Sequence, residues 1–368
     1  MDFIPVPITE LLITSKCNMN CSYCFEKDKP QKTISKGMID EFLLNLPSTG
    51  LMVFGGEPLL ALDEFDYLYT SIQKLDINED IKVDLLNSFT KDAQLITNGT
   101  LIIKNINIIK RLNLKLQISI DGPEEINDLC RVDHKGKGTY STVIRNIKCC
   151  IANDIPWSCH GAIGRNNFSN LSKLFDFWWE ICKLEAKGDL DKSIGMLGEN
   201  TFQIIFEENY TDDDIDIFLR EQEEIFNKIF LLPELNQQQK ITLANNWYKR
   251  KGAVCTAGHF MYAYNLEGEL FPCHRLAMIA DKSNYNFFER GPKFFNAFLN
   301  MGKNKKMYSS TQNILDYNNS NNKYYQQNWC PSTNVQTSGT PYYQSCKYNV
   351  LIAEYGRFVD ALFEYAHI

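Results

Sequence analysis

Apolar residues follow two rhythms along this chain. Short apolar runs without strict alternation occur at 8–13, 51–54, 94–97, 116–120, 157–163 and 201–206. Between them, apolar side chains return every three or four residues, as on one face of a helix. Ser35 reads as an N-cap, with Met38, Ile39, Phe42, Leu43 and Leu46 following at helical spacing. The same period predicts helices over 63–75, 101–112, 140–152, 171–184 and 213–230, the last with an acidic start that suits the helix dipole. Strand and helix thus alternate six times through residue 230. That order predicts βα units with a parallel sheet, and the missing alternation fits strands buried on both faces. A partial barrel and an open doubly wound sheet would read alike.

Beyond residue 232 the alternation stops. Residues 233–240, with three consecutive glutamines, read as a linker. A short hairpin is expected from 261–265 and 269–271. Residues 301–345 are rich in Asn, Gln, Ser, Tyr and Lys and show no period, as expected of a functional or mobile loop. Leu351, Ile352, Tyr355, Val359, Leu362 and Phe363 predict a terminal helix over 348–365. Two domains follow: 1–232, and a smaller 233–368.

Composition adds exclusions. The 368 residues carry a net charge of −7, which disfavours a nucleic-acid partner. No apolar run reaches the roughly 18 residues of a membrane span, and the N-terminus lacks a signal-peptide pattern, so no membrane partner and a cytoplasmic location are expected. Twelve cysteines are many for such a compartment and point to metal ligands rather than disulfides.

Three of them, Cys17, Cys21 and Cys24, lie within eight residues, directly after the first predicted strand. Thiolates favour iron–sulfur clusters and zinc. A closed structural zinc site wants four ligands, and neither Cys nor His follows until Cys130. A [4Fe–4S] cluster on three cysteines keeps one iron open. Polar or glycine signals also end the later strands: Gly55-Gly56-Glu57-Pro58, Thr97-Asn98-Gly99-Thr100 and Ser119-Ile120-Asp121-Gly122-Pro123. In α/β barrels that rim carries the active site.

The strand, the CxxxCxxC loop with Tyr23 before its third cysteine, the helix and the Gly-Gly-Glu-Pro that follows resemble the radical S-adenosylmethionine (SAM) enzymes. The resemblance implies a partial (β/α)6 TIM-like barrel. It implies a [4Fe–4S] cluster on Cys17, Cys21 and Cys24 whose open iron chelates SAM, cleaved reductively to a 5′-deoxyadenosyl radical that takes a substrate hydrogen. Under it, Gly55 and Gly56 would let backbone approach the SAM methionine and Glu57 would accept from its ammonium. Asn98 and Asp121 would join the cofactor contacts. Ser119 through Pro123, followed by Arg131 and then Gly136, Gly138, Thr139 and Tyr140, resembles the sulfatase-maturase and peptide-modifying branch, where the matching Ser and Arg contact SAM.

Cys255, then Gly268 through Cys273, resembles the opening of SPASM or twitch domains, which carry auxiliary clusters. The longer cysteine run of a full SPASM domain is missing. Cys255, Cys273, Cys330 and Cys346 would therefore hold one auxiliary [4Fe–4S] cluster. His274 follows where sulfatase maturases resemble an aspartate proton acceptor, and imidazole can do that work. Cys130, Cys149, Cys150, Cys159 and Cys182 show no ligand spacing and read as small core hydrophobes.

The expected activity is a peptide maturase: hydrogen abstraction from a residue of a ribosomal precursor peptide, then an oxidative thioether or carbon–carbon crosslink. A flavodoxin or ferredoxin would supply electrons. The chain starts close to its first strand, so the leader would be recognised by the barrel mouth, the Asn/Tyr-rich loop or a separate partner. The alternatives are a sulfatase maturase making formylglycine from Ser or Cys, and a non-catalytic iron–sulfur redox sensor.

Overall fold

The structure, a computed structural model, describes residues 6–24, 26, 31–44, 48–87, 94–205, 210–248, 261–271, 274 and 347–365. The expectations on Cys255, Cys273, Cys330, Cys346 and the 301–345 loop lie outside these residues. The chain divides into two compact units: Met1–Ser119 with Arg131–Trp157 and Thr256–Lys305, and Ile120–Cys130 with Ser158–Cys255 and Lys306–Ile368.

In the first unit, β1 (Val6–Thr14) pairs in parallel with β2 (Ser48–Gly55), and β3 (Gln94–Thr97) pairs in parallel with β4 (Lys115–Ser119). Helix α1 (Lys36–Leu44) joins the first two strands, and its expected cap is present: Ser35 Oγ accepts from the Met38 N–H at 3.2 Å. Helices α2 (Leu62–Lys74) and α3 (Glu79–Asn87) lead towards β3, and α4 (Ile106–Arg111) joins β3 to β4. Leu11 and Ile13 of β1, and Leu51 and Val53 of β2, are all but sealed from solvent. Burial of such side chains, about 1.5–3 kcal/mol each, holds these strands in place.

In the second unit, α5 (Glu124–Cys130) follows the loop after β4. Helix α6 (Tyr140–Ala152) belongs to the first unit. Strands β5 (Trp157–Ile163) and β6 (Thr201–Ile204) pair in parallel, joined by α7 (Leu171–Glu185) and α8 (Leu190–Glu199). Trp178 and Trp179 of α7 are buried as expected. Helix α9 (Asp212–Leu231) starts with a reciprocal cap, Thr211 on Asp214.

The 233–240 linker is a correction. Helix α10 (Gln237–Tyr248) begins inside it and buries Leu243, Ala244, Trp247 and Tyr248. Its signal was a capping box hidden by the glutamines: Asn236 Oδ1 accepts from the Gln239 N–H at 2.9 Å, and Gln239 Oε1 accepts from the Asn236 N–H at 3.1 Å. Trp247 then packs edge-on against Phe175, with ring centroids 5.2 Å apart. The terminal helix is present as α11 (Lys347–Tyr365), beside α9.

The expected hairpin forms from β7 (Met261–Tyr264) and β8 (Leu270–Phe271), antiparallel. Although the sequence placed it with the second domain, β7 adds in parallel to β1, with Ile8 opposite Met261 and Leu11 opposite Tyr264. Strand β1 is therefore flanked on both sides, in the order β2-β1-β7-β8.

Candidate active site

The end of β1 and the loop after it are fastened at several points. Thr14 Oγ1 and the Ser15 N–H both donate to Lys32 O, each at 2.9 Å. The Gly56 N–H reaches Thr14 O at 2.8 Å, and the Glu57 N–H reaches Lys16 O at 2.8 Å. That approach explains the two glycines. A Cβ on Gly55 would lie 2.3 Å from Thr14 O, and one on Gly56 would lie 2.5 Å from Lys16 O. Their first task is to let β2 close on the entry to the cysteine loop, whereas the sequence suggested an approach to the cofactor.

The far side of the loop is held by residues 131–139. Met19 bridges Asp133, and the Asn20 N–H donates to Val132 O at 2.8 Å. Asp133 organises this strap: its Oδ1 accepts from the Lys135 and Lys137 N–H groups at 2.8 and 2.9 Å, which hold its carboxyl below the usual range. His134 Nε2 lies 3.0 Å from Cys17 O. Arg131, only 6% exposed, sets its guanidinium over the Tyr23 ring, 5.4 Å from the centroid. Two residues singled out separately in the sequence thus meet.

Cys17, Cys21 and Cys24 are half-exposed thiols on this fastened loop, and the Cys24 N–H donates to Cys21 O at 3.2 Å. Among the described residues no three His, Cys, Asp or Glu side chains converge as a single metal ion requires. A four-iron cube needs no such point, because each thiolate binds its own iron. Three soft, part-exposed donors on a fixed loop fit that group.

Glu57 is wholly buried. Oε1 accepts from Thr97 Oγ1 at 2.8 Å and from the Leu59 N–H at 3.0 Å, and Oε2 accepts from the Asn98 N–H at 2.7 Å. Burial pushes its pKa up to about 7 despite the three donors. Both oxygens serve the protein, so Glu57 clamps the end of β2 to the end of β3. Asn98 is 9% exposed and lies at the same rim, as does Ser119, the last residue of β4.

Asp121 is also occupied. Within the second unit its Oδ1 accepts from the Ala162 N–H at 2.8 Å, and its own N–H donates to Asn127 Oδ1 at 3.2 Å. It fastens β5 and the start of α5.

His274 is placed by a residue the sequence reading passed over. Its N–H donates to Glu10 Oε2 at 3.0 Å, and its Nδ1 lies 2.9 Å from both Glu10 oxygens. The ring stands edge-on to Phe54 at 5.2 Å. Glu10 is 4% exposed in the middle of β1. A carboxylate inside an apolar run was the available signal, since a buried charge needs a partner. Cys130, Cys150, Cys159 and Cys182 are buried as expected, and burial pushes the Cys182 thiol up to about 12. Cys149 is half-exposed and receives Asn153 Nδ2 at 3.5 Å.

Comparison with known proteins places this geometry. A segment of 173 residues is 31% identical to an uncharacterised protein of Methanocaldococcus jannaschii, covering 45% of this chain and 56% of that protein. A cysteine-type anaerobic sulfatase-maturating enzyme of Clostridium novyi is 26% identical over 179 residues, 45% of this chain and 46% of the enzyme. The chain spans about half the length of these curated relatives. In fold it matches native anSMEcpe with bound AdoMet and Cp18Cys peptide, with a TM-score of 0.61 at 16% identity over 98% of this chain and 97% of that one. It also matches Streptococcus suis SuiB bound to precursor peptide SuiA, with a TM-score of 0.52 at 13% identity over 93% and 75%. The mixed α/β architecture with parallel pairing is therefore the partial barrel of those proteins. Residues 11–177 match the Radical SAM superfamily, whose members use a [4Fe–4S] cluster and SAM.

Proposed function

We propose that the chain is a peptide-modifying radical SAM maturase, with residues 1–232 as the radical-generating partial barrel and 233–368 as an auxiliary-cluster domain. The observation that carries this reading is the cysteine loop itself. Cys17, Cys21 and Cys24 are pinned between the Gly55–Glu57 turn on one side and the Arg131–Thr139 strap on the other. Bound there, the [4Fe–4S] cluster and SAM would supply reductive C–S cleavage and a 5′-deoxyadenosyl radical. The protein's own residues hold the thiols in place, stack Tyr23 under Arg131 and bring a buried guanidinium suited to the SAM carboxylate.

The substrate is a residue of a precursor peptide. After hydrogen abstraction, closing a thioether or carbon–carbon bond releases a further proton and electron. His274, held by Glu10, takes the proton. Cys255, Cys273, Cys330 and Cys346 would hold one auxiliary cluster, which would supply an acceptor for the electron, and a flavodoxin or ferredoxin would supply the reducing electrons. The bound peptides of anSMEcpe and SuiB support a peptide substrate.

A second reading, formylglycine formation on a sulfatase, is favoured by the Clostridium novyi relative. His274, where maturases resemble an aspartate, favours the first. Anaerobically reconstituted protein, reduced with dithionite and given SAM, should form 5′-deoxyadenosine. Co-expression with short precursor peptides encoded beside its gene should give products lighter by two hydrogens per bond. No 5′-deoxyadenosine would replace both readings with an iron–sulfur redox sensor. Turnover confined to a sulfatase peptide would select the second.

A further inference from the structure

We infer that Asn98 is a positioning residue for the radical cluster, donating an N–H to the Cys17 thiolate and thereby raising the cluster's reduction potential. The inference rests on the reading that Cys17 binds that cluster. It follows from a count of what the Asn98 amide can still do.

A carboxamide has two acceptor lone pairs and two N–H donors. Both lone pairs of Asn98 Oδ1 are used within the turn: the Thr100 N–H donates at 3.0 Å and Thr100 Oγ1 at 2.6 Å. A backbone N–H can only donate, so this contact fixes which end of the amide is oxygen. One hydrogen of Nδ2 goes to Asn18 Oδ1 at 2.8 Å. Asn18 in turn gives its own amide to Thr100 Oγ1 at 2.8 Å, which closes the ring of bonds. The backbone N–H of Asn98 is spent on Glu57. What remains is the second Nδ2 hydrogen, and it faces Cys17 Sγ at 4.0 Å. A thiol takes such a contact at long range. A cluster-bound thiolate carries charge and draws its donors closer.

The amide's remaining donor is therefore directed to the sulfur. Cys17 is also held at its carbonyl by His134, so the thiolate is presented to the donor in a fixed position. Reduction adds negative charge to the cluster and its sulfurs. A donor on a ligand sulfur stabilises that state more than the oxidised one, so it raises the potential.

The test uses reconstituted full-length protein and potentiometric titration of the cluster's EPR signal, before and after SAM addition. Asn98→Asp keeps the acceptor that Thr100 needs, loses both Nδ2 donors and adds a carboxylate charge, so the nitrogen coupling of the wild-type protein separates the lost hydrogen bond from the charge. The expected result is a lower potential and a smaller fraction reduced by dithionite at fixed pH. Thr100→Val disturbs the same ring of bonds but leaves the N–H facing the sulfur, and its potential should stay with the wild type. Should Asn98→Asp fail to hold a cluster, wild-type protein labelled with 15N in asparagine side chains decides. Pulsed EPR of the reduced cluster should show a weakly coupled nitrogen. Equal potentials in wild type and Asn98→Asp, or no coupled nitrogen, would overturn the inference while leaving the cluster assignment standing. A wild-type protein that forms no SAM-responsive [4Fe–4S] cluster would instead remove the assignment on which it rests.

Discussion

The imidazole Nδ1 of His274 stands 2.9 Å from each carboxylate oxygen of Glu10, and the same histidine's N–H donates to Oε2 at 3.0 Å. A carboxylate only accepts, so Nδ1 is the donor of this contact, which leaves base chemistry, under the proposed function, to Nε2. Under the proposed function, His274→Gln removes that base. Product formation from the enzyme's peptide should fall on the order of a hundredfold or more, while 5′-deoxyadenosine continues to form. Glu10→Gln should cost on the order of tenfold by loosening the ring. In the His274→Gln background Glu10→Gln should cost nothing further. Undiminished product from His274→Gln would discard the role.

Gly55→Ala and Gly56→Ala test the closure of β2 on the cysteine loop. Each new Cβ would press on a backbone carbonyl that has no rotamer to escape into. We expect a loss of about 1–3 kcal/mol or more, read as a drop in apo-protein melting temperature, together with poor cluster incorporation. Wild-type stability in either variant would show that the approach is not needed.

The Glu57 clamp predicts a pH dependence. Its pKa is about 7 folded against a model-peptide value of 4.5, so between those values the folded state binds the extra proton. The contribution is fully present below about 4.5, declines as pH rises through about 7, and is gone above it. Measured on apo protein, the stability of wild type relative to Glu57→Gln should fall with a slope of up to about 1.4 kcal/mol per pH unit in that window and then level off. A difference independent of pH would contradict the burial argument.

Cysteine variants separate ligands from core. Cys17→Ala, Cys21→Ala and Cys24→Ala should each lose the SAM-responsive EPR signal. Cys150→Ala and Cys159→Ala should lower stability and leave iron unchanged. Wild-type iron should be about eight per chain with the auxiliary cluster and about four without it.

The strands and the cysteine loop were legible because each depends on local pattern: apolar runs for β1 to β6, and close thiol spacing for the loop. Helix α10 was obscured because its apolar residues lie beyond a polar glutamine run, although the Asn236–Gln239 box marked its start. The tasks of Gly55, Gly56, Glu57 and Asp121 were not legible. Each is set by a partner distant in sequence, such as Thr14 for Gly55 or Ala162 for Asp121, and no spacing rule reports such pairs. Glu10 was visible as a charge among apolar neighbours, but its partner lies 264 positions away.

Flanked by β2 and β7, strand β1 acts as a gauge. Glu10 lies four residues before Thr14, the pairing with β2 shifts register between Leu12 and Thr14, and the cysteine loop follows directly. At about 3.3 Å per residue, the spacing between the histidine's anchor and the mouth of the loop is written in whole residues. Removing one residue between them would turn Glu10 to the opposite face. Removing two would restore the face but shorten the gauge by about 7 Å. Any finer change in reach between the cysteine loop and His274 must therefore come from the side chains at either end or from the register shift between Leu12 and Thr14.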